Sequence, residues 1–129
     1  PDLSPTEGFE FIDTAESAAT AEVIVTTVCE RLPREGVDPH RDVMVLVPMN
    51  RGPIGIEVLN DALQRRLNPA PPAQVTRSGR CFGVGDRVIQ RKNDRELGVF
   101  NGDVGRVHAV DTQAQTLEID FDGRTVAYP

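Results

Sequence analysis

Residues 68–73 read NPAPPA, and three prolines in six residues divide the chain into two kinds of pattern. Proline fixes φ and removes a backbone donor, so neither a helix nor a strand ladder runs through such a stretch. Before it, apolar residues recur at helical spacing or in one solid run. After it, short β-like runs alternate with Gly and Asp/Asn turns. The break therefore predicts an α/β part followed by an all-β part.

In the first part, residues 9–12 (FEFI) predict a short strand, and Asp13 or Thr14 a helix cap with Glu16 in the first turn. Ala19, Val23, Val28 and Leu32 then mark a helix over 15–32 that Pro33 should stop, though the β-branched residues 23–27 weaken it. Residues 43–47 (VMVLV) form a continuous apolar run, the mark of a parallel strand buried on both faces. Pro53 opens a second helix, to residue 67, with Ile54, Val58, Leu59, Ala62, Leu63 and Leu67 as its apolar stripe. Strand, helix, strand, helix is a βαβα unit.

In the second part, strands are expected over 86–90, 103–110, 116–121 and 125–128, with turns at Asn101–Gly102 and Asp122–Gly123. So many short strands in so few residues predict a small, strongly bent β-barrel of the Src-homology-3 type. The expected division is a disordered lead-in over 1–8, an α/β part over 9–69, a linker over 70–79 and a barrel over 80–129. A first residue other than Met reads as a piece excised from a longer chain.

Charge limits the partners. The net charge of −6 argues against a free-standing, high-affinity DNA binder, because that affinity rests on phosphate neutralisation. Residues 77–106, however, carry 7 basic and 4 acidic side chains and are locally +3. Such a block is either a solvated face or a place for phosphate contacts. Cys29 and Cys81 are far apart and belong to no CxxC pair, as expected for reduced thiols of a cytoplasmic protein. His40 and His108 have no ligand-spaced neighbours, so no metal is expected. No apolar run approaches the ~18–20 residues of a membrane span and no signal peptide is visible, so no membrane partner is expected.

Two segments could carry chemistry. Residues 48–55 (PMNRGPIG) follow the apolar run, at the sheet edge where ligands bind in open α/β folds. There Asn50 offers a donor, Arg51 a guanidinium fork and Gly52 a close backbone approach to phosphate. An ordinary β–α connection explains the same residues. In the barrel, Arg87 and a loop with Arg91, Lys92, Asn93, Arg95, Phe100 and Asn101 offer cations, amides and one ring for a single strand. The sequence has no GxxxxGK[ST] loop and no convergent carboxylates or nucleophile–base set, so no catalytic residue is assigned.

These residues join in one pattern. A Pro-Met-x-Arg-Gly turn (Pro48, Met49, Arg51, Gly52) precedes an LNxxLQ helix (Leu59, Asn60, Leu63, Gln64). Gly-Asp-Arg-Val-x-Gln follows at 85–90, then Asn93–Asp94, the Gly-x-x-Asn-Gly-Asp-x-Gly turn at 98–105, and IDFDG at 119–123. The set resembles the RecD-like branch of superfamily 1 DNA helicases, the exodeoxyribonuclease V alpha-subunit type. The resemblance implies that 9–69 is part of the second RecA-like motor domain and 80–129 the barrel inserted in it. It implies a bacterial, ATP-driven 5′ to 3′ helicase of DNA repair or recombination, with ATP and Mg bound outside this chain and no cofactor within it. It further implies weak contact with single-stranded DNA, docking to the remaining motor domains, and recombination-nuclease subunits as candidate partners. The piece alone should be inactive. A non-enzymatic RNA- or protein-binding barrel of the ribosomal or transcription-elongation type is the alternative, since Gly-Asp-x-Val…Gly-x-x-Gly-x-Val resembles those as well.

Overall fold

The alanine-rich segment after Glu16 forms one helical run in three parts, as seen in a computed structural model that describes residues 8–47 and 55–129. Helix α1 spans Ser17–Thr26, a π-helical turn Thr27–Arg31, and a last short turn, α2, Leu32–Arg34. Pro33 lies inside that last turn rather than before it. It has no N–H to offer the Cys29 carbonyl, and its ring would crowd that carbonyl in a regular helix. The widened turn just before it relieves the conflict, with Leu32 N–H bonded to the Thr27 carbonyl. The stop comes at Gly36 instead: Val37 N–H reaches the Leu32 carbonyl at 3.0 Å and Gly36 N–H the Pro33 carbonyl at 3.1 Å, a Schellman closure. Neither Asp13 nor Thr14 caps the start. Glu16 holds that position without a side-chain bond, and the Thr14 hydroxyl pairs with that of Thr20.

The chain divides into two units between Leu63 and Gln64. Among the described residues of the first, no strand forms. Residues 9–12 and 43–47, both expected as strands, form none: Phe9 makes a single β-bridge and the others make no ladder. The VMVLV run is not buried on both faces: Met44 is 62% and Leu46 85% exposed, while Val45 and Val47 line a small pocket with Ile56, Leu59 and Leu63. A parallel strand needs partners on both edges and cover on both faces, and the described residues of this unit supply one covered side. The second helix, α3, spans Ile56–Leu67 and buries Leu59.

The second unit, Gln64–Pro129, holds every strand found among the described residues. β1 (Gln74–Arg77) and β2 (Arg80–Gly83) form an antiparallel hairpin. β1 falls within the stretch expected as linker. β3 (Arg87–Ile89), β4 (Val104–Asp111), β5 (Thr116–Phe121) and β6 (Arg124–Tyr128) form a four-stranded antiparallel sheet in sequential order. The β5–β6 connection is the Asp122–Gly123 pair with φ of 53° and 92°, the left-handed geometry that suits a two-residue hairpin. Alternation along β5 turns Leu117, Ile119 and Phe121 inward, where they meet Val75, Val99 and Val126. On β4 the register slips between Val107 and Ala109, leaving His108 as the extra residue. Gly105 faces this core, where a Cβ would collide with Ile119 and Phe121.

Candidate nucleic-acid interface

Between β3 and β4 the chain leaves the sheet for a loop that carries most of the candidate binding residues. Its neck is closed by Gln90 N–H to the Asp103 carbonyl and Gly102 N–H to the Gln90 carbonyl, both 2.8 Å. Farther out, Asp94 and Val99 exchange backbone bonds of 2.7 and 3.0 Å. Val99 is fully buried and pins the loop into the barrel core. From β6, the Arg124 guanidinium donates to the Gly98 carbonyl. Tyr128 Oη donates to Gln90 Oε1 at 2.7 Å, and Gln90 Nε2 donates to the Lys92 carbonyl at 2.7 Å. The loop is tied down from both ends and the middle.

That fastening sorts its charges. Asp94 Oδ1 accepts from Leu97 N–H at 3.1 Å, and Asp103 Oδ2 from Phe100 N–H at 2.9 Å, so two of the loop's carboxylates serve its own backbone. Arg91, Lys92 and Arg95 stay exposed, and none of their cationic groups enters an ion pair among the described residues. Phe100 is 54% exposed, directly after the fully buried Val99. Asn93 Oδ1 accepts from Asn101 N–H at 2.8 Å, bracing the turn. The structure thus brings Arg91, Lys92, Asn93, Arg95, Phe100 and Asn101 onto one loop. Asn50, Arg51 and Gly52 lie outside the described residues. Cations for phosphate oxygens beside one ring for a base is the chemistry of sequence-tolerant single-strand binding.

A second polar cluster escaped the sequence reading. The Asp86 carboxylate is buried and accepts from Gln64 Nε2 at 2.5 Å, Asn68 Nδ2 at 2.8 Å and Gly83 N–H at 2.8 Å. The same amides reach the Cys81 carbonyl at 2.7 Å and the Val84 carbonyl at 3.0 Å. Gln64 and Asp86 belong to the LNxxLQ and GDRVxQ motifs, so these motif positions serve as joinery within the barrel unit. A fully polar triad at the end of an apolar helix stripe was the available signal.

Burial raises the Tyr128 phenol above the ordinary tyrosine value, with Asp94 and Asp103 adding to the rise and Arg124 opposing it. The proton is held more tightly in the folded than in the unfolded chain. This contribution to stability is therefore intact below about pH 10, the unfolded value, and lost as pH rises through the folded one. Tyr128 is the single tyrosine of the chain, so tyrosinate absorbance reports it alone. Its midpoint is expected to lie higher in the folded chain than in denaturant, and Tyr128→Phe should remove this part of the alkaline loss. Coincident midpoints would refute this effect of partial burial.

Residues 59–121 match the family described as the SH3 domain of ATP-dependent RecD-like DNA helicases. A protein of Deinococcus radiodurans described as an ATP-dependent RecD2 DNA helicase is 39% identical over 84 residues, which are 65% of this chain and 11% of that relative. The matched span takes in the Asp86 cluster, the whole 91–101 loop and strands β1 to β5. By these matches, residues 59–121 belong to the SH3-domain family of RecD-like DNA helicases.

Proposed function

We propose that this chain is the barrel-bearing segment of an ATP-dependent 5′ to 3′ DNA helicase of the cytoplasm, and that the 91–101 loop contacts single-stranded DNA and couples it to the motor. The observation that carries the reading is the helicase-family match, which encloses a loop whose cations face outward. In this reading, residues 9–69 contribute to the second RecA-like motor domain, and the turn with Asn50, Arg51 and Gly52 lies near the strand's path. The family match favours a helicase over the ribosomal or transcription-elongation type of barrel. In this reading ATP and Mg are bound by the rest of the protein. The sequence has no GxxxxGK[ST] loop, and the described residues contain no group of His, Cys, Asp or Glu suited to a metal ion. Hydrolysis is assigned to the rest of the protein, with this segment a sensor of bound DNA.

The test is ATP hydrolysis by the full-length protein with and without single-stranded DNA, in the wild type and in Arg91→Ala/Lys92→Ala/Arg95→Ala. Strong stimulation is expected, with the half-stimulating DNA concentration about tenfold higher in the triple variant at low salt. Absence of stimulation in the wild type would defeat the helicase reading. Equal half-stimulating concentrations would remove the loop from it.

A further inference from the structure

Among the described residues of the barrel unit, the large apolar side chains that stay exposed all lie on one hairpin. Ile89 on β3 is 53% exposed, Phe100 in the connecting loop 54% and Val104 on β4 37%. The register sets Ile89 directly opposite Val104. Their neighbours face the other way: Val88 packs on the core, and a Cβ on its partner Gly105 would meet Ile119 and Phe121. Alternation therefore turns Ile89 and Val104 side by side onto the outer face of the sheet. Two residues along each strand, the Arg87–Arg106 pair ends this aliphatic stretch. At its other end stands Phe100. The Phe100 carbonyl accepts Asp103 N–H at 3.0 Å, its own N–H donates to Asp103 Oδ2 at 2.9 Å, and Gln90 N–H holds the Asp103 carbonyl at 2.8 Å. Val99 fills the core place beside it, so this backbone keeps the ring outside.

Single exposed apolar residues are ordinary, but a cluster confined to one hairpin marks a contact surface. Its size and its surroundings choose the occupant. A stable protein interface engages about 20–30 residues a side, whereas this patch has one ring and two aliphatic chains, the scale of a base or two. Beside it, Arg91, Lys92 and Arg95 enter no ion pair among the described residues. Asp94 and Asp103 spend carboxylate oxygens on backbone N–H groups, which leaves Glu96 as the loop's other carboxylate. An apolar patch next to cations fits a ligand that is flat and apolar on one side and anionic on the other. We propose that Ile89, Val104 and Phe100 form a nucleobase site for single-stranded DNA, with the strand's phosphates turned toward Arg91, Lys92 and Arg95. The inference rests on the helicase reading for its ligand, and it extends the contact from the loop onto the sheet. Every base has an apolar face, so such a site grips without reading sequence, as a motor that passes over every sequence requires.

The test is fluorescence anisotropy of the full-length protein with labelled oligothymidylate and with an abasic strand of the same length, over a range of salt. Phe100→Ala should weaken oligothymidylate binding about tenfold and leave abasic binding unchanged. The slope of log affinity against log salt should keep its wild-type value, because no phosphate contact is lost. Phe100→Trp should hold the wild-type affinity, and Phe100→Leu should not. Ile89→Thr/Val104→Thr keeps β-branched side chains on both strands, so it should weaken oligothymidylate binding alone, at an unchanged unfolding temperature. Equal losses on both strands, or no loss on either, overturn the base site, while the slope of the cationic triple variant still decides the loop. A lower unfolding temperature for Phe100→Ala with both affinities unchanged marks the patch as covered by protein and overturns the inference too. Failure of the wild type to bind either strand defeats the helicase reading itself.

Discussion

Replacing Asp86 by alanine is expected to lower the stability of the barrel unit by about 3 kcal/mol. The estimate follows from what the change leaves behind. Three donors converge on this carboxylate, from Gln64, Asn68 and Gly83, at 2.5 to 2.8 Å. Removing the acceptor strands some of them away from water, at roughly 1–3 kcal/mol for each group left unpaired. Each kcal/mol moves the melting temperature by about 4–8 °C in a domain of this size. Asp86→Asn should fall between, since it keeps the shape and the acceptor for Gln64 and Gly83 but turns its amide toward that of Asn68. Gln64→Ala and Asn68→Ala should each cost less, and a double-mutant cycle with Asp86→Ala should show strong coupling. Thermal and denaturant unfolding of the four variants checks this. A loss below about 1 kcal/mol for Asp86→Ala would show that water replaces the carboxylate.

Gly105→Val is expected to be at least as damaging. A Cβ at this position would stand 2.6 Å from Ile119 Cγ2, 2.9 Å from Phe121 Cδ1 and 2.9 Å from the Asp120 carbonyl oxygen. The first two belong to the core, and the third is main chain of β5, in the ladder that β4 itself pairs with. A side-chain tip could swing away; a ladder carbonyl cannot move without its strand. Overpacking of this kind costs about 1–3 kcal/mol for one added carbon and more for three, so the alanine variant should be weakened and the valine variant largely unfolded. Val104→Ala, one residue earlier on the outer face, should shift stability by only about 0.5 kcal/mol. Near-wild-type melting of Gly105→Ala would mean that β4 and β5 can separate locally at little cost.

The barrel was more legible in the sequence than the part before it, for reasons particular residues make plain. Alternation in TLEIDF placed β5 without error, and the turn pairs Asn101–Gly102 and Asp122–Gly123 bracketed β4 and β6 to within a residue or so. β1 and β2 were missed because QVTR and RCFG each carry one strong inward apolar residue, Val75 or Phe82, too few for a period to show. VMVLV misled in the opposite sense, since a solid apolar run states that a segment wants cover and says nothing of how much the described residues supply. The loop's charged residues could be named from sequence alone. Their sorting could not: nothing in RKNDRELGVFNGD announces that Asp94, Asp103 and Asn93 turn to the backbone while Arg91, Lys92 and Arg95 face water.

The buried valine at the centre of that loop changes the thermodynamics of whatever the loop touches. An unanchored surface loop of this length would lose conformational entropy on gripping a ligand, at about 1–2 kcal/mol for each residue newly fixed. Val99 has already imposed that loss during folding, as part of the barrel core. Contacts made by Arg91, Lys92, Arg95 and Phe100 therefore draw only on side-chain freedom. Under the proposed reading, a motor that must release and re-grip its track with each step would gain from this, because association and departure need no folding or unfolding of the grip.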